Sequence, residues 1–289
     1  MLHLLDQVKG RYGLFRCISS DEHMGSALKK YGEFSEIELS VIKKFIKPGD
    51  YVFDIGANIG LLTVPFAKVV GVNGKVFSFE PQSFVHNVLN QNVKLNNLLN
   101  VKTYHNALGS IKKKIKIDEM DFTKIGNFGG FTLSNKYKNS DCGTIKHKKK
   151  NIVNMLKLDD FLNLSKCNFL KIDVELMEID VLKGGQKFIN KFKPILWLEN
   201  HLNYPNKLND YLLQQGYIPY WCATKLYNPD NYNSDNYNVF KNMITINTLA
   251  IHKSYKMEID CKSLGLTKVL NKNTEAEVAI INVFNNNSL

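Results

Sequence analysis

The sequence has no stretch approaching the roughly 20 apolar residues that span a bilayer. Its first residues, MLHLLDQVKGRYG, lack the apolar core of a signal peptide. Its five cysteines (Cys17, Cys142, Cys167, Cys222, Cys261) are odd in number and show no paired spacing. That argues against a disulfide framework and against a zinc site, and it leads us to expect free thiols in a reducing compartment and a cytoplasmic location. No G-x-x-x-x-G-K-[ST] loop is present to cradle a nucleotide's phosphates. There is no internal repeat and no clean linker. Acidic residues are in deficit: 38 Lys plus Arg stand against 27 Asp plus Glu, a formal net charge of +11. Such an excess favours acidic partners, but here it comes mostly from scattered lysines. The densest run, Lys146-His147-Lys148-Lys149-Lys150, has no interleaved aromatics for base stacking. It reads as a solvated strand edge rather than a nucleic-acid patch.

What is present is organised around residues 50–81, DYVFDIGANIGLLTVPFAKVVGVNGKVFSFEP. Tyr51, Val52, Phe53 and Ile55 form an apolar run broken only by Asp54, the pattern of a strand buried on both faces. Gly56, Ala57, Asn58, Ile59 and Gly60 follow, then apolar residues at helical spacing. A strand feeding a helix through a glycine turn lets the backbone approach a ligand closely. A second strand (Val76, Phe77, Phe79) ends in Glu80, placed where an acidic residue accepts hydrogen bonds from ribose hydroxyls. The run lacks the middle glycine of the dinucleotide fingerprint G-x-G-x-x-G. The unit is suited to a different nucleoside-bearing ligand.

The remaining chain, 289 residues of which 44% are hydrophobic, can bury a sizeable core. Residues 1–34 read as short strands or turns capping one end of a sheet, residues 35–251 as the main domain, and residues 252–289 as an appended helix and strand with a frayed NNNSL end. Ser35 and Glu38 have capping-box spacing. Further strands are expected at residues 101–105, 111–117, 152–156, 169–173, 194–199, 217–221 and 243–251. Residues 118–150 form a long irregular segment, and long loops in compact domains tend to be functional or disordered. Gly184-Gly185 is expected to stop a helix. Strands alternating with helices give a mainly parallel sheet whose ligands sit beyond the carboxyl ends of the strands. Asp54, Glu80, Asn106, Asp173 and Glu199 all fall at that rim. The plainer alternative is that each caps a helix or turn.

The string DIGANIG followed by Glu80 resembles the first motif of S-adenosylmethionine-dependent methyltransferases of the Rossmann-like class. Over residues 31 to about 251 the chain resembles the FkbM family of methyltransferases. The stretches that carry this are KPGDYVFDIGANIGLLTVPFAKVVGVNGKVFSFEP, NALGS, GNFGGFTL, FLKIDVELMEIDVLKGG and PILWLEN. The resemblance implies an α/β, Rossmann-like class I methyltransferase fold with a mainly parallel seven-stranded sheet and helices on both faces. It also implies S-adenosylmethionine as methyl donor and a hydroxyl on a sugar, glycan or natural product as acceptor. Carried onto this sequence, Asp54, Gly56, Ala57, Asn58, Gly60, Glu80 and Asn106 would hold the cofactor. Phe128, Phe131 and Glu199 would meet the acceptor, the two phenylalanines from a loop covering the site. Asp173 or Glu175 would orient the acceptor hydroxyl, and His201 or a carboxylate would take its proton. Asp173, Glu199 and Asn200 loosely resemble the magnesium ligands of catechol-type O-methyltransferases; oxygen ligands suit that ion, but Glu stands in place of Asp, and magnesium ranks below metal-free proton transfer. The family usually has glycine where this chain has Leu176, a bulkier residue that can narrow the acceptor pocket or shift the helix start. Two other readings stand beside this one: a methyltransferase-like binding or scaffold protein without turnover, and a nucleic-acid methyltransferase. The last ranks lowest, because Asp173-Val174-Glu175-Leu176 replaces the Asn- or Asp-Pro-Pro-aromatic string of base amino-methylators. The oligomeric state is not legible.

Overall fold

A computed structural model describes residues 4–133, 145–201, 207–269 and 274–285 of the chain. Cys142, the middle of the expected irregular segment and residues 286–289 of the NNNSL end lie outside the described residues. A hairpin opens the chain, β1 (Leu5–Gly10) with β2 (Gly13–Ile18), followed by α1 (Met24–Tyr31) and α2 (Glu36–Ile42). Strands and helices then alternate: β3 (Tyr51–Ile55), α3 (Thr63–Val70), β4 (Lys75–Phe79), α4 (Ser83–Leu95) and β5 (Val101–Tyr104). A small second sheet follows, built from β6 (Asn106–Leu108), β7 (Lys113–Met120) and β8 (Ile145–Leu156), with β8 in the middle. After a single 3-10 turn come β9 (Phe169–Ile172), α5 (Glu178–Lys183), α6 (Gln186–Phe192), β10 (Ile195–Glu199) and α7 (Lys207–Gln214). The chain closes with β11 (Tyr217–Lys225), β12 (Ile244–His252), β13 (Leu266–Lys268) and α8 (Thr274–Asn285).

The central sheet has the order β13-β11-β12-β10-β9-β3-β4-β5. From β5 to β10 all neighbours are parallel, and β12 enters antiparallel between β10 and β11. All seven strands expected for it are there. The count is corrected to eight, because β13 pairs with β11 through Tyr220, Trp221 and Cys222. The apolar runs are explained by burial on both sides. Phe53, Phe77, Leu170 and Leu196 face Val181, Phe188 and Leu212, while Val52, Val76, Phe169 and Trp197 face Leu39, Phe66 and Val70. Helices therefore cover both faces. Among the described residues no helix is long and apolar enough to cross a membrane.

Local expectations are corrected at Ser35 and in the irregular segment. Ser35 precedes α2, but its φ is +53° and its hydroxyl donates to Glu38 Oε2 at 3.0 Å instead of accepting from a backbone N–H. A capping box needs extended backbone at that position. Gly184-Gly185 ends α5 as expected, with Gly184 at the C-cap, and a separate helix, α6, starts at once. Both glycines serve close packing: a Cβ on Gly184 would lie 2.0 Å from Gly109 O, and one on Gly185 would lie 2.7 Å from Leu158. The irregular segment is also shorter than expected, because β7 runs to Met120 and β8 begins at Ile145. The basic run lies on β8.

The chain leaves β3 for β4 on one side and returns much later to β9 on the other. The loops after β3 and β9 therefore part from one another, which opens a crevice at the carboxyl ends of the strands.

Candidate functional site

A cavity of about 520 Å³ fills that crevice. One half is lined by Gly56, Ala57, Asn58, Glu80, Gln82 and Asn106. The other is lined by Phe131, Asp173, Glu175, Glu199, His201 and Asn247. Lys171 lies between them.

The first half is built by the turn after β3. Gly56 has φ +77°, and a Cβ there would fall 1.7 Å from Asp173 O, so no side chain fits. The N–H groups of Gly56 and Ala57 donate to Phe79 O at 3.0 and 2.9 Å, which locks the turn to the end of β4. Asn58 takes a left-handed φ of +48°, tolerable for asparagine, and its N–H donates to Glu80 Oε2 at 3.1 Å. The N–H of Gln82 donates to Glu80 Oε1 at 2.8 Å. Glu80 is thus clamped by two backbone donors at the cavity wall. Burial pushes its pKa up to about 7, with the two N–H groups opposing. Asn106 lines the same half and donates from Nδ2 to Asn154 O at 3.1 Å, joining β6 to β8.

Asp54 and Gly60 do not line the cavity. Asp54 is fully buried beneath the turn, accepts from Thr63 Oγ1 at 2.6 Å and faces Lys171 Nζ at 3.3 Å. Gly60 packs against Leu89 of α4, where a Cβ would lie 2.7 Å from Cδ1. Both support the turn from below.

Lys171 was not singled out from the sequence. It sits inside the apolar strand FLKI, is 4% exposed, donates to Gly56 O at 2.8 Å and lies 3.3 Å from Asp173 Oδ2. Burial pulls its pKa down, but Asp173, Asp54 and Glu38 outweigh that and leave it above the ordinary lysine range. A lysine inside an apolar strand is itself a signal, because lysine is almost never buried unpaired. Glu38 of α2 was also missed. It accepts from Trp197 Nε1 at 2.9 Å and lines the cavity.

The second half is acidic. Burial, reinforced by Asp173 and Glu178, raises the pKa values of Glu175 and Glu199, and Glu175 adds to the rise at Glu199. Burial lowers that of His201, against Asp173. Glu199 Oε2 and His201 Nε2 are 3.3 Å apart. Asn200, one of the magnesium ligands expected from the sequence, is held by hydrogen bonds within the fold. Its amide is spent on Thr248 Oγ1 (2.8 Å) and on the N–H of His201 (2.9 Å). The side chains that do converge are Glu175, Glu199 and His201, each offering one ligand atom, all within 4.8 Å of one another. Glu175 and Leu176 both have left-handed φ, +50° and +75°. Leu176 therefore carries a side chain in the conformation that glycine adopts most readily.

The loop above the site divides the two phenylalanines. Phe131 lines the cavity, whereas Phe128 is fully buried, 4.8 Å from Phe122 between ring centroids. Phe128 anchors the loop and does not reach the cavity. The Thr132 hydroxyl donates to Glu175 O and ties the loop to the acidic half.

The clamped Glu80 has a pH signature. Its folded pKa lies above the ordinary 4.5, so between about pH 4.5 and 7 the folded state keeps a proton that the unfolded chain has lost. Stability then falls as pH rises through that window, by about 3 kcal/mol at most. Glu80→Gln removes this slope. Its Tm relative to wild type is expected to climb from pH 4.5 to pH 7.5 in calorimetric scans, and a constant difference would contradict the buried carboxyl.

A family model described as "Methyltransferase FkbM domain" matches residues 54–219. The chain belongs to the FkbM methyltransferase family. That stretch runs from Asp54 through both halves of the cavity to β11. Methyltransferase 1 of Beauveria bassiana (strain ARSEF 2860) is 27% identical over 148 residues, covering 46% of this chain and 57% of that protein. This chain thus spans little more than half of that relative. Among solved structures, the FkbM methyltransferase of Methylobacillus flagellatus KT is similar at 16% identity and a TM-score of 0.39, over 71% of this chain and 48% of that one. M. jannaschii TYW2, solved in complex with AdoMet, is similar at 15% identity and a TM-score of 0.42, over 86% and 85%.

Proposed function

We propose that this member of the FkbM family transfers a methyl group from S-adenosylmethionine to a hydroxyl of a sugar, glycan or other natural product. One observation carries the reading: a single cavity joins a nucleoside-type half, with Glu80 clamped at its wall, to a half lined by Asp173, Glu175, Glu199 and His201. The cofactor fits the residues present. Each Glu80 oxygen accepts one backbone N–H and keeps a further lone pair for a ribose hydroxyl. Gly56 presents bare backbone to the cavity. When bound, the cofactor supplies an electrophilic methyl group on a sulfonium.

The chain's own task is alignment, because an in-line displacement is governed by how oxygen, carbon and leaving group are held. Asp173 and Glu175 orient the acceptor hydroxyl. His201, kept neutral near pH 7 by burial, or a neighbouring carboxylate takes its proton. Phe131 lies over the acceptor and excludes water. An acidic acceptor half also disfavours a phosphodiester backbone, which keeps nucleic acid behind a neutral acceptor. A scaffold without turnover is separated from an enzyme by a transfer assay with labelled S-adenosylmethionine.

The cofactor assignment is tested by Glu80→Ala. Losing a charge-assisted hydrogen bond costs about 1.5–3 kcal/mol, so affinity for S-adenosylmethionine is expected to fall roughly ten- to a hundred-fold by calorimetry in a folded variant. Unchanged affinity would sink the assignment. The acceptor half is tested by Phe131→Ala, which should raise the acceptor KM far more than the cofactor Kd. Equal effects on both would count against a covering loop.

A further inference from the structure

We propose that Asn247 and Glu199 form a donor–acceptor clamp for two adjacent hydroxyls, so that the acceptor is a neutral vicinal diol and Asn247 sets that specificity. The inference rests on the methyl-transfer reading and narrows its acceptor. Asn247 lies on β12 directly opposite Glu199 on β10. Directly opposed residues of an antiparallel pair point to the same face, with Cβ atoms about 4.5–5.5 Å apart. Both line the cavity. Asn247 is 5% exposed, and among the described residues nothing accepts a hydrogen bond from its Nδ2. Its neighbour across the other strand pair is Cys222, whose sulfur is a weak acceptor.

A buried amide donor without a partner is costly to the fold, and native proteins rarely keep one. The cost is recovered if a ligand oxygen meets Nδ2. A hydroxyl can both accept and donate. One hydroxyl of a vicinal pair accepts from Nδ2, and its neighbour donates to the Glu199 carboxyl. An acceptor with a single isolated hydroxyl leaves one arm of the clamp unmet. An anionic acceptor meets Asp173, Glu175, Glu199 and Glu38. Lys171, the one Lys or Arg among the described lining residues, is already engaged by Asp54, Asp173 and Gly56 O.

The test has two arms. In the first, thermal unfolding compares wild type with Asn247→Leu, which keeps the branched heavy-atom shape and removes the unmet donor. Tm no lower than wild type is expected; a clear fall would show that the amide is satisfied within the fold and would overturn the proposal. In the second, binding of neutral methyl pyranosides that carry vicinal hydroxyls is followed by NMR without cofactor, against their singly deoxygenated and uronate counterparts. At least one diol should bind wild type ten-fold or more tighter than its deoxy and uronate forms. Asn247→Leu and Asn247→Asp should erase that preference. Equal binding of diol and deoxy forms, no binding of any pyranoside, or full retention in Asn247→Asp would overturn the clamp. If wild type fails to bind S-adenosylmethionine, the methyl-transfer reading falls, and the cofactor-free sugar arm still decides the clamp.

Discussion

Replacing Lys171 by methionine is expected to lower Tm by about 6–20 °C and to abolish cofactor binding in whatever remains folded. The side chain is buried between Asp54, itself fully buried, and Asp173, and it also holds Gly56 O. Methionine keeps the length and removes the charge. Asp54 would then be a buried carboxylate without its counter-ion, and removing one partner of a buried pair costs about 3–5 kcal/mol. In a domain of this size each kcal/mol shifts Tm by about 2–4 °C. The turn would lose its tether as well, since Gly56 O accepts from Nζ. Adding Asp54→Asn should recover part of the loss, because the orphaned charge is gone. A Lys171→Met protein that melts within about 2 °C of wild type would show that the ion pair does not hold the crevice together.

Asp173→Asn is expected to leave the fold and cofactor affinity nearly intact and to lower kcat by about 10²-fold, the loss expected when an acceptor is no longer held in line. The Asp173 side chain is 43% exposed, so its exchange leaves no buried charge unpaired, and asparagine can still face Lys171. Single-turnover methyl transfer would measure the change, with S-adenosylhomocysteine binding as the control for the cofactor half. A folded variant that binds and turns over like wild type would remove Asp173 from the chemistry. The same assay run with a chelator decides the ion. Wild-type turnover that survives chelation, with a dead variant, retains acid–base chemistry. Turnover lost to the chelator and restored by magnesium places the ion on Glu175, Glu199 and His201, the groups whose ligand atoms converge.

Most of the seven expected strands of the central sheet were legible as apolar runs bounded by glycine, proline or a polar rim residue, and β5, Val-Lys-Thr-Tyr, by its place between a helix and Asn106. The eighth was not, because β13 has three residues and no alternation to read. The first half of β8 was concealed by its lysines, which look like loop in a linear reading. α6 was hidden behind two glycines that end α5 and also pack closely against Gly109 and Leu158. Within the site, Glu80, Asp173 and Glu199 were picked out as strand-end residues, Gly56 as part of the glycine turn, and Glu175 and His201 through the family resemblance; all six line the cavity. Phe128 and Phe131 look alike in sequence, and only packing against Phe122 separates the buried one from the half-buried one that lines the cavity. Lys171, Glu38 and Asn247 were missed because each acts through a partner far along the chain: Asp54, Trp197 and, in the clamp proposed above, Glu199. No local pattern encodes such pairs.

Gly56 touching the carbonyl of Asp173 also fixes when the site can come into being. The turn after β3 leaves the ribosome early, and β9 emerges more than a hundred residues later. Until then Asp54 has no counter-ion and Gly56 O has no donor. Parallel pairing across so long a separation is slow, because the loop must close before its contacts reward it. The nascent half-site is therefore a hydrophobic edge around an unpaired carboxylate, and it matures only when residues 169–173 slot in beside it. Truncation before β9 should leave a chain that associates or is degraded, and ligand binding should appear during synthesis as a late, abrupt event rather than a gradual gain.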